Sequence, residues 1–291
     1  MPFTMTFDAL CHALTRAVPD VPQGPVALLF DEDRIAVLET LDHLLACGFA
    51  KVMLVSAAPP ELSDAQAERT LVLQADRVQS DLVFALINHA IAAMPGRWLH
   101  YCYNAEFLHY PFCETRSIGE LTAFHSEERR EAMITYVVDL YAGDLKVAPN
   151  GVDLAKPCLD RSGYYALDGS DAQGTRLDRQ WDYYGGLRWR YEEHIPEARR
   201  RIDRIGIFRA QPGLVILEGH VTNIPECNTV SCEWHHNLTA AIASFRVAKA
   251  LKANPGSRDL IGSFRWRNSV EFKWSSQQLM DLGLMEPGQW F

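Results

Sequence analysis

A short polar segment follows one of the most apolar stretches of the chain. The apolar stretch that begins at Trp98 has the composition of a buried strand, and it leads into Asn104, Ala105 and Glu106. Ligands of open α/β sheets bind outside the carboxyl ends of the strands, so a carboxylate at this position can reach a ligand. Glu106 could therefore ligate a metal ion or position an acceptor group, and Asn104 could add a carbonyl oxygen. The alternative for Glu106 is an ion pair with an arginine, because an unpaired buried acid is costly.

Three consecutive acids, Asp31, Glu32 and Asp33, follow a second apolar run at residues 26–30. At the carboxyl end of a parallel strand, Asp31 and Asp33 are candidates for contact with a nucleotide base or ribose. Acids in the first turn of a helix also stabilise it. Capping of the following helix is the favoured interpretation for Asp31, and nucleotide contact stays open for Asp33.

Arginines supply local positive charge in an otherwise acidic chain. The formal net charge is −9 and the isoelectric point is about 5.6, which argues against a general nucleic-acid binder. Arg188 and Arg190 stand beside a double glycine, and Arg204 follows at the start of a predicted strand. Guanidinium groups bind phosphate oxygens bidentately, so these three are candidates for binding a diphosphate. The run at residues 199–201 is more typical of a solvated helix face.

A carboxylate general base could come from several places. Asp139 and Asp144 lie at and beyond the end of a predicted strand at residues 134–140, and Glu218 is a third candidate. A base must lie within hydrogen-bond reach of the hydroxyl it deprotonates. The sequence does not choose among the three.

Histidines and aromatic residues give two further sets of candidates. His235 and His220 could contribute metal ligands, whereas the neighbouring His236 would point to the opposite face of a strand. An aromatic-rich belt is suited to stacking on sugar rings or to core packing. Its members are Tyr141, Trp181, Tyr183, Tyr184 and Trp189.

Composition indicates a globular intracellular protein. The 291 residues are 48% hydrophobic and 22% charged, which is enough for one large α/β domain or two smaller ones. Seven cysteines without a Cys-x-x-Cys pair favour reduced thiols over a zinc ribbon or a redox pair. No signal peptide is recognisable, and no stretch approaches the about 20 apolar residues of a membrane helix. We therefore expect a soluble, cytoplasmic protein.

The predicted elements alternate between strands and helices. Helices are predicted at residues 5–18, 35–47, 80–93 and 239–253, and strands at 26–30, 51–55, 70–73, 134–140, 204–209 and 214–217. A further strand is predicted to follow Pro95-Gly96 and to lead to Glu106. Residues 142–184 are predicted to form a long loop near the site. This order is typical of parallel βαβ units, and no boundary divides residues 1–291, so we expect a single α/β domain.

The order of these local motifs resembles a known family. Tyr103-Asn104-Ala105-Glu106-Phe107-Leu108, with Tyr110-Pro111 soon after, is similar to the Asp-Ala-Asp-Glu-Phe-Leu segment of family-2-like glycosyltransferases of GT-A fold, in the bacterial branch related to glycosyltransferase family 92. Six other segments are similar in the same order: residues 29–33, 47–52, 185–190, 204–208, 219–220 and 234–235. The similarity spans nearly the whole chain.

This resemblance implies a GT-A fold, with a mixed, mostly parallel sheet flanked by helices. It also implies a hexosyltransferase-type enzyme of bacterial polysaccharide biosynthesis, which moves a sugar from a nucleotide-sugar donor to a glycan or glycoconjugate acceptor. Whether the protein forms a homo-oligomer stays open. The candidate catalytic residues are Glu106, Asp139 and Asp144, and the candidate nucleotide- and diphosphate-binding residues are Asp31, Asp33, Asn104, Arg188, Arg190, Arg204 and His235.

One departure from the family pattern leaves two functions open. Tyr103 and Ala105 stand where the family has the aspartates that hold a divalent cation. Neither is a hard oxygen donor of the kind that Mn²⁺ or Mg²⁺ prefers, so Glu106 and His235 are the remaining candidate ligands. We therefore expect a transferase with a weak metal site or none. The alternative is a catalytically inactive GT-A-like domain that binds glycans or acts as a scaffold. A Rossmann oxidoreductase is disfavoured because no Gly-x-Gly-x-x-Gly follows the first strand.

Overall fold

The computed structural model describes residues 6–171, 173–230 and 238–290. The candidate ligand His235, with His236, lies outside these described residues. The chain divides into two compact units, each built from several segments. Unit 1 comprises Met1–Phe107, Thr115–Met133 and Ile205–Cys227, and unit 2 comprises Leu108–Glu114, Ile134–Arg204 and Asn228–Phe291. Whether they form one domain, as expected from the sequence, stays a prediction.

Eight helices and thirteen strands are present in the described part of the chain. The helices are α1 Phe7–Ala17, α2 Val37–Cys47, α3 Asp64–Arg69, α4 Ser80–Ala93, α5 Ile118–Glu127, α6 Gly186–Arg190, α7 Arg246–Ala253 and α8 Ser276–Asp281. The strands are β1 Val26–Asp31, β2 Lys51–Ser56, β3 Thr70–Gln74, β4 Trp98–Tyr103, β5 Glu106–His109, β6 Ala132–Asp139, β7 Tyr141–Ala142, β8 Pro157–Asp160, β9 Tyr165–Ser170, β10 Arg176–Tyr184, β11 Asp203–Arg209, β12 Ala240–Ser244 and β13 Ser269–Glu271.

Eight of the strands form one large sheet. Its strand order is β3-β2-β1-β4-β11-β6-β12-β5. The pairs β2/β3, β1/β2, β1/β4 and β6/β12 are parallel, whereas β11 runs antiparallel to β4. The fold is therefore α/β with a large mixed, mostly parallel sheet flanked by helices, which is compatible with the predicted fold class.

The parallel strands of unit 1 follow from continuous apolar runs. Every residue of β1 and β4 is buried, as expected for strands that are covered on both faces. Phe30 pairs with Val55 on one side and with Tyr103 on the other. The register therefore brings the carboxyl ends of β1, β2 and β4 to the same edge of the sheet. The predictions for β1, β2, β3, β4, α1, α2 and α4 are confirmed to within a few residues.

In unit 2, the predicted helix at residues 239–253 is wrong over residues 239–245. Residues 240–244 form β12, which pairs in parallel with β6 through Ile242 and Val137, and α7 begins only at Arg246. All five residues of β12 are buried. A run of small and branched residues suits a strand packed on both faces, and this burial overrides the helical preference of alanine.

Two other sequence-based predictions are corrected by the structure. Residues 142–184 are not one long loop, because they contain β8 and the ribbon of β9 and β10, whose side chains are mostly exposed and so lack an apolar pattern. Residues 214–217 do not form a strand. Instead, the side-chain amide of Asn88 takes the place of a strand partner, because it accepts from the Ile216 amide at 2.8 Å and donates to the Ile216 carbonyl at 3.0 Å.

Among the described helices, none is both long enough and apolar enough to cross a bilayer.

Candidate functional site

Polar side chains gather at the carboxyl ends of the parallel strands in unit 1. This group, which we call the strand-end cluster, comprises Asp31, Asp33, Ser56 and Asn104. Asp31 and Ser56 are paired in the register of β1 and β2, and Asn104 follows the end of β4. The edge of a parallel sheet at which these residues lie is where α/β proteins bind ligands.

Asn104 joins the end of β4 to the loop after β1. Its Oδ1 accepts a hydrogen bond from the Glu32 amide at 2.9 Å, and its Nδ2 donates to the Ile35 carbonyl at 2.8 Å and to the Asp33 carboxylate. Only an amide can donate and accept in this way, and an aspartate here would place a second carboxylate against Asp33. The buried Asn104 side chain therefore shapes the loop that carries the acids.

The two aspartates of the strand-end cluster differ in exposure. Asp31 is buried and accepts from the Arg34 amide at 2.7 Å and from the Ser56 hydroxyl at 2.6 Å. It does not cap α2, whose N-cap is Ala36 without a side-chain cap, so the capping interpretation is wrong. Asp33 is exposed and is oriented by Asn104 and by the Ile35 amide at 3.1 Å. Asp33 is therefore the carboxylate of this cluster that an incoming ligand can reach.

Glu106 begins β5 rather than ending a strand, because a two-residue turn intervenes. In that turn Ala105 has a φ of 62° and donates its amide to the Thr40 hydroxyl at 2.8 Å. The buried Glu106 carboxylate accepts from the Tyr103 amide at 3.0 Å. The acid therefore closes the turn between β4 and β5.

Backbone amides bind oxygens of the two polar side chains at this turn. Tyr103 and Ala105 offer no carboxylate, Asn104 Oδ1 accepts from the Glu32 amide, and Glu106 Oε2 accepts from the Tyr103 amide. Within residues 6–171, 173–230 and 238–290, no three His, Cys, Asp or Glu side chains come together as a metal-binding group.

Unit 2 contains a buried group of alternating charges, which we call the carboxylate–arginine cluster: Asp139, Asp160, Arg188 and Arg190. Asp139 ends β6, and its carboxylate receives the Arg188 backbone amide at 3.2 Å and the Arg188 Nε at 3.4 Å. Arg188 also donates to the Arg201 carbonyl at 2.6 Å. Asp139 is thus held by the first turn of α6 and by the guanidinium of the same helix.

The double glycine before Arg188 allows the Asp139 carboxylate to lie close to the backbone at the start of α6. Gly186 has a φ of 63°, and a Cβ at this position would lie 2.9 Å from Asp139 Oδ2. A Cβ on Gly185 would lie 2.2 Å from the Tyr164 ring. Burial raises the pKa of the Asp139 carboxyl to about 6, although the Arg188 charge and its hydrogen bonds act in the opposite direction.

Asp160 is the second buried acid of the cluster, and sequence analysis missed it. Its carboxylate accepts from the Tyr141 hydroxyl at 2.5 Å, from Trp266 Nε1 at 2.6 Å and from Arg190 Nη1 at 3.1 Å. Arg190 also donates to the Phe264 carbonyl at 2.6 Å, and its guanidinium lies 4.8 Å from the centre of the Trp266 ring. The available signal was an acid that ends the short apolar run at residues 157–160.

The other predicted site residues lie in varied surroundings. Arg204 is buried in β11. Asp144 is exposed and accepts from the Lys146 amide at 2.8 Å, which makes it a turn residue. Glu218 is exposed as well. Because Glu106 belongs to unit 1 and Arg188 and Arg190 to unit 2, the expected proximity of these three stays a prediction.

The aromatic belt is divided between core and surface. Tyr141 is buried and Tyr183 and Tyr184 are half-buried, whereas Trp181 and Trp189 are each more than two-fifths exposed. Trp189 packs edge-on against Trp266, with ring centres 6.3 Å apart. The exposed indoles are the members of the belt that a sugar ring could contact.

Comparison with known proteins finds no protein-family model that matches the chain and no curated protein with significant similarity to it.

Proposed function

We propose that this protein is a glycosyltransferase that moves a sugar from a nucleotide-sugar donor to a glycan or glycoconjugate acceptor without a carboxylate-held metal ion. The observation that carries the proposal is the strand-end cluster. Asp33 is exposed at the carboxyl edge of parallel strands, and the buried Asn104 holds it in one orientation. A fixed, exposed carboxylate at such an edge suits recognition of ribose hydroxyls or of a base N–H.

The carboxylate–arginine cluster supports the chemical half of the proposal. A pKa of about 6 suits the Asp139 carboxyl to general-base catalysis at neutral pH. In the proposed reaction, Asp139 takes the proton of an acceptor hydroxyl as its oxygen bonds to the anomeric carbon. The bond from that carbon to the diphosphate breaks at the same time, and the nucleoside diphosphate leaves with the electron pair.

Arg188 and Arg190 have a different role from the one expected of free phosphate-binding cations. Each guanidinium is already paired with a carboxylate and with a backbone carbonyl. We assign them first to holding Asp139 and Asp160 in fixed positions, which is the preorganisation that electrostatic catalysis requires. Direct contact with the diphosphate stays a prediction for both.

One observation favours the second function, an inactive GT-A-like domain that binds glycans or acts as a scaffold. The single acid kept from the family segment, Glu106, is used to close a turn and is buried. Such a domain would bind a glycan but would not release nucleoside diphosphate from a donor.

Titration calorimetry with UDP, GDP and their sugar conjugates, in Mn²⁺ and in EDTA, tests the proposal. We expect micromolar binding of one nucleotide that is the same with and without the metal ion. Asp33→Asn should weaken this binding, whereas Asp178→Asn, at an acid whose side chain is 92% exposed, should leave it unchanged. Absence of binding at millimolar nucleotide contradicts the proposal. Nucleotide binding without release of nucleoside diphosphate in the presence of glycans supports the inactive domain.

A further inference from the structure

Tyr164 carries a buried polar group that the proposed chemistry does not use. Its hydroxyl is shielded from solvent and has no hydrogen-bond partner within the described part of the chain, although the rest of the residue is partly exposed. Buried hydroxyls in folded proteins are nearly always bonded, because a buried donor without a partner loses the hydrogen bond that water would give it. The unbonded, buried hydroxyl of Tyr164 therefore needs a physical explanation.

Packing fixes the place of the Tyr164 ring. A Cβ added to Gly185 would lie within 2.9 Å of three atoms of that ring, so the ring rests directly on the glycine backbone. Gly163, the residue before Tyr164, approaches the Trp189 indole, at 3.1 Å from an added Cβ. Because glycines allow both approaches, the tyrosine is seated beside the double glycine that also admits Asp139.

The charges of the carboxylate–arginine cluster act on the Tyr164 hydroxyl. Burial raises the pKa of this hydroxyl well above its ordinary value, and the negative charges of Asp160 and Asp139 raise it further, whereas Arg190 opposes them. The group is therefore kept protonated. It is a hydrogen-bond donor on which two carboxylates act electrostatically, and it bonds to neither of them.

The carboxylates next to it retain capacity to accept. Asp160 Oδ1 takes bonds from Tyr141, Trp266 and Arg190, whereas Oδ2 receives only the Arg190 Nη1 at 3.3 Å among the contacts of the described residues. A ligand hydroxyl would satisfy both groups, because it can accept from Tyr164 and donate to a carboxylate. A donor and an acceptor that are both fixed by the protein define a site for a hydroxyl-bearing ligand.

We propose that the Tyr164 hydroxyl binds a hydroxyl group of a carbohydrate ligand, together with the Asp160 carboxylate and with the partly exposed Trp189 indole as the adjoining apolar surface. Carbohydrates carry both features that this arrangement recognises, since they present hydroxyls at their edges and C–H groups on their faces. An amphipathic aromatic residue beside polar anchors suits such a ligand. The inference rests on the proposed function, in which it identifies Tyr164 as a residue that determines acceptor binding.

The test uses Tyr164→Phe in the full chain, with a panel of methyl glycosides of glucose, galactose and mannose as the probe. We expect at least one methyl glycoside to bind the unchanged protein at millimolar concentration, by saturation-transfer and titration NMR. Its Kd should rise about tenfold in Tyr164→Phe, the loss expected for one hydrogen bond. The midpoint of thermal unfolding should stay the same or rise, because the variant removes a polar group that has no partner.

Tyr191→Phe is the matched control. The Tyr191 hydroxyl donates to the Ser263 carbonyl at 3.1 Å, so its removal should lower the unfolding midpoint and leave glycoside binding unchanged. Three outcomes would each overturn the proposal. The first is a lower unfolding midpoint in Tyr164→Phe, and the second is equal glycoside affinity in Tyr164→Phe and the unchanged protein. The third is absence of glycoside binding at millimolar concentration. Titration of Tyr164→Phe with UDP and GDP separates the two proposals, because nucleotide binding depends on the strand-end cluster and not on Tyr164.

Discussion

The side-chain amide of Asn104 donates to the carboxylate of Asp33 and so ties the end of β4 to the loop that follows β1. Asn104 stands inside the segment that resembles a metal-binding motif, and within unit 1 its side chain makes hydrogen bonds to Glu32, Asp33 and Ile35. This segment therefore has a structural task that does not need a cation. Of the loop acids, Asp33 is oriented by the asparagine side chain.

Replacement of Asn104 by aspartate should destabilise the protein. The variant removes two donated hydrogen bonds and buries a carboxylate against Asp33, so we expect a loss of about 3–5 kcal/mol in the free energy of unfolding. Urea denaturation measures this loss. In the control Asn254→Asp, the exposed side chain only accepts, from the Gly256 amide at 3.0 Å, and the loss should stay below about 0.5 kcal/mol. Equal losses in the two variants would show that the donated bonds are unimportant.

The raised pKa of Asp139 predicts a dependence of stability on pH. Its folded-state pKa of about 6 lies above the ordinary value of 3.8, so the folded protein binds this proton more tightly than the unfolded chain does. The stabilising contribution is complete below pH 3.8 and is lost as the pH rises through about 6. The unfolding free energy of the unchanged protein relative to Asp139→Asn should therefore fall between these two values.

The comparison with Asp139→Asn is necessary because another buried group acts in the opposite direction. Burial lowers the pKa of His125 to about 4, so this group adds stability as the pH rises over much of the same range. His125 is common to both proteins and cancels in the difference. Chemical denaturation at a series of pH values measures that difference, and a flat or rising curve contradicts the prediction.

Gly186→Ala should cost more than the same substitution at an unobstructed glycine. The φ of 63° disfavours any side chain, and the new Cβ would lie 2.9 Å from Asp139 Oδ2. We expect a loss of about 2 kcal/mol or more, the combined cost of a left-handed alanine and of displacing a buried carboxylate. Gly283→Ala is the control, because its φ is 68° and nothing lies within 4 Å of the added Cβ. Differential scanning calorimetry should give a clearly smaller shift there, and identical shifts would mean that Asp139 does not restrict position 186.

The sequence predicted the central strands better than the candidate site. Residues 26–30 and 51–55 are continuous apolar runs, and such runs leave few alternatives to buried strands. Asp160 was missed because its partners Tyr141, Arg190 and Trp266 lie 19, 30 and 106 residues away along the chain. Local patterns carry no information on contacts of this range.

Arg188 shows a second limit of sequence reasoning. A guanidinium beside glycines is as suitable for a carboxylate as for a phosphate, since both oxygen pairs fit the same donors. The sequence led to a phosphate-binding hypothesis, and the structure pairs Arg188 with Asp139. The glycines themselves were the better signal, because they mark a close approach of backbone to side chain.

Ala105→Asp, which introduces one aspartate of the glycosyltransferase segment that residues 103–108 resemble, should not create a manganese site. Ala105 is buried, its amide is bonded to Thr40, and the neighbouring Glu106 carboxylate already accepts from Tyr103. A new carboxylate would therefore be buried without a cation to balance it, and we expect a loss of about 3 kcal/mol or more in the free energy of unfolding. Ala36→Asp is the matched control, because Ala36 has a similar φ of 58° but is half-buried at the N-cap of α2, where aspartate is favourable. Calorimetric titration with Mn²⁺ should detect no binding to Ala105→Asp at millimolar concentration. Tight binding there, in a variant that keeps its stability, would show that the turn between β4 and β5 can still accommodate the ion.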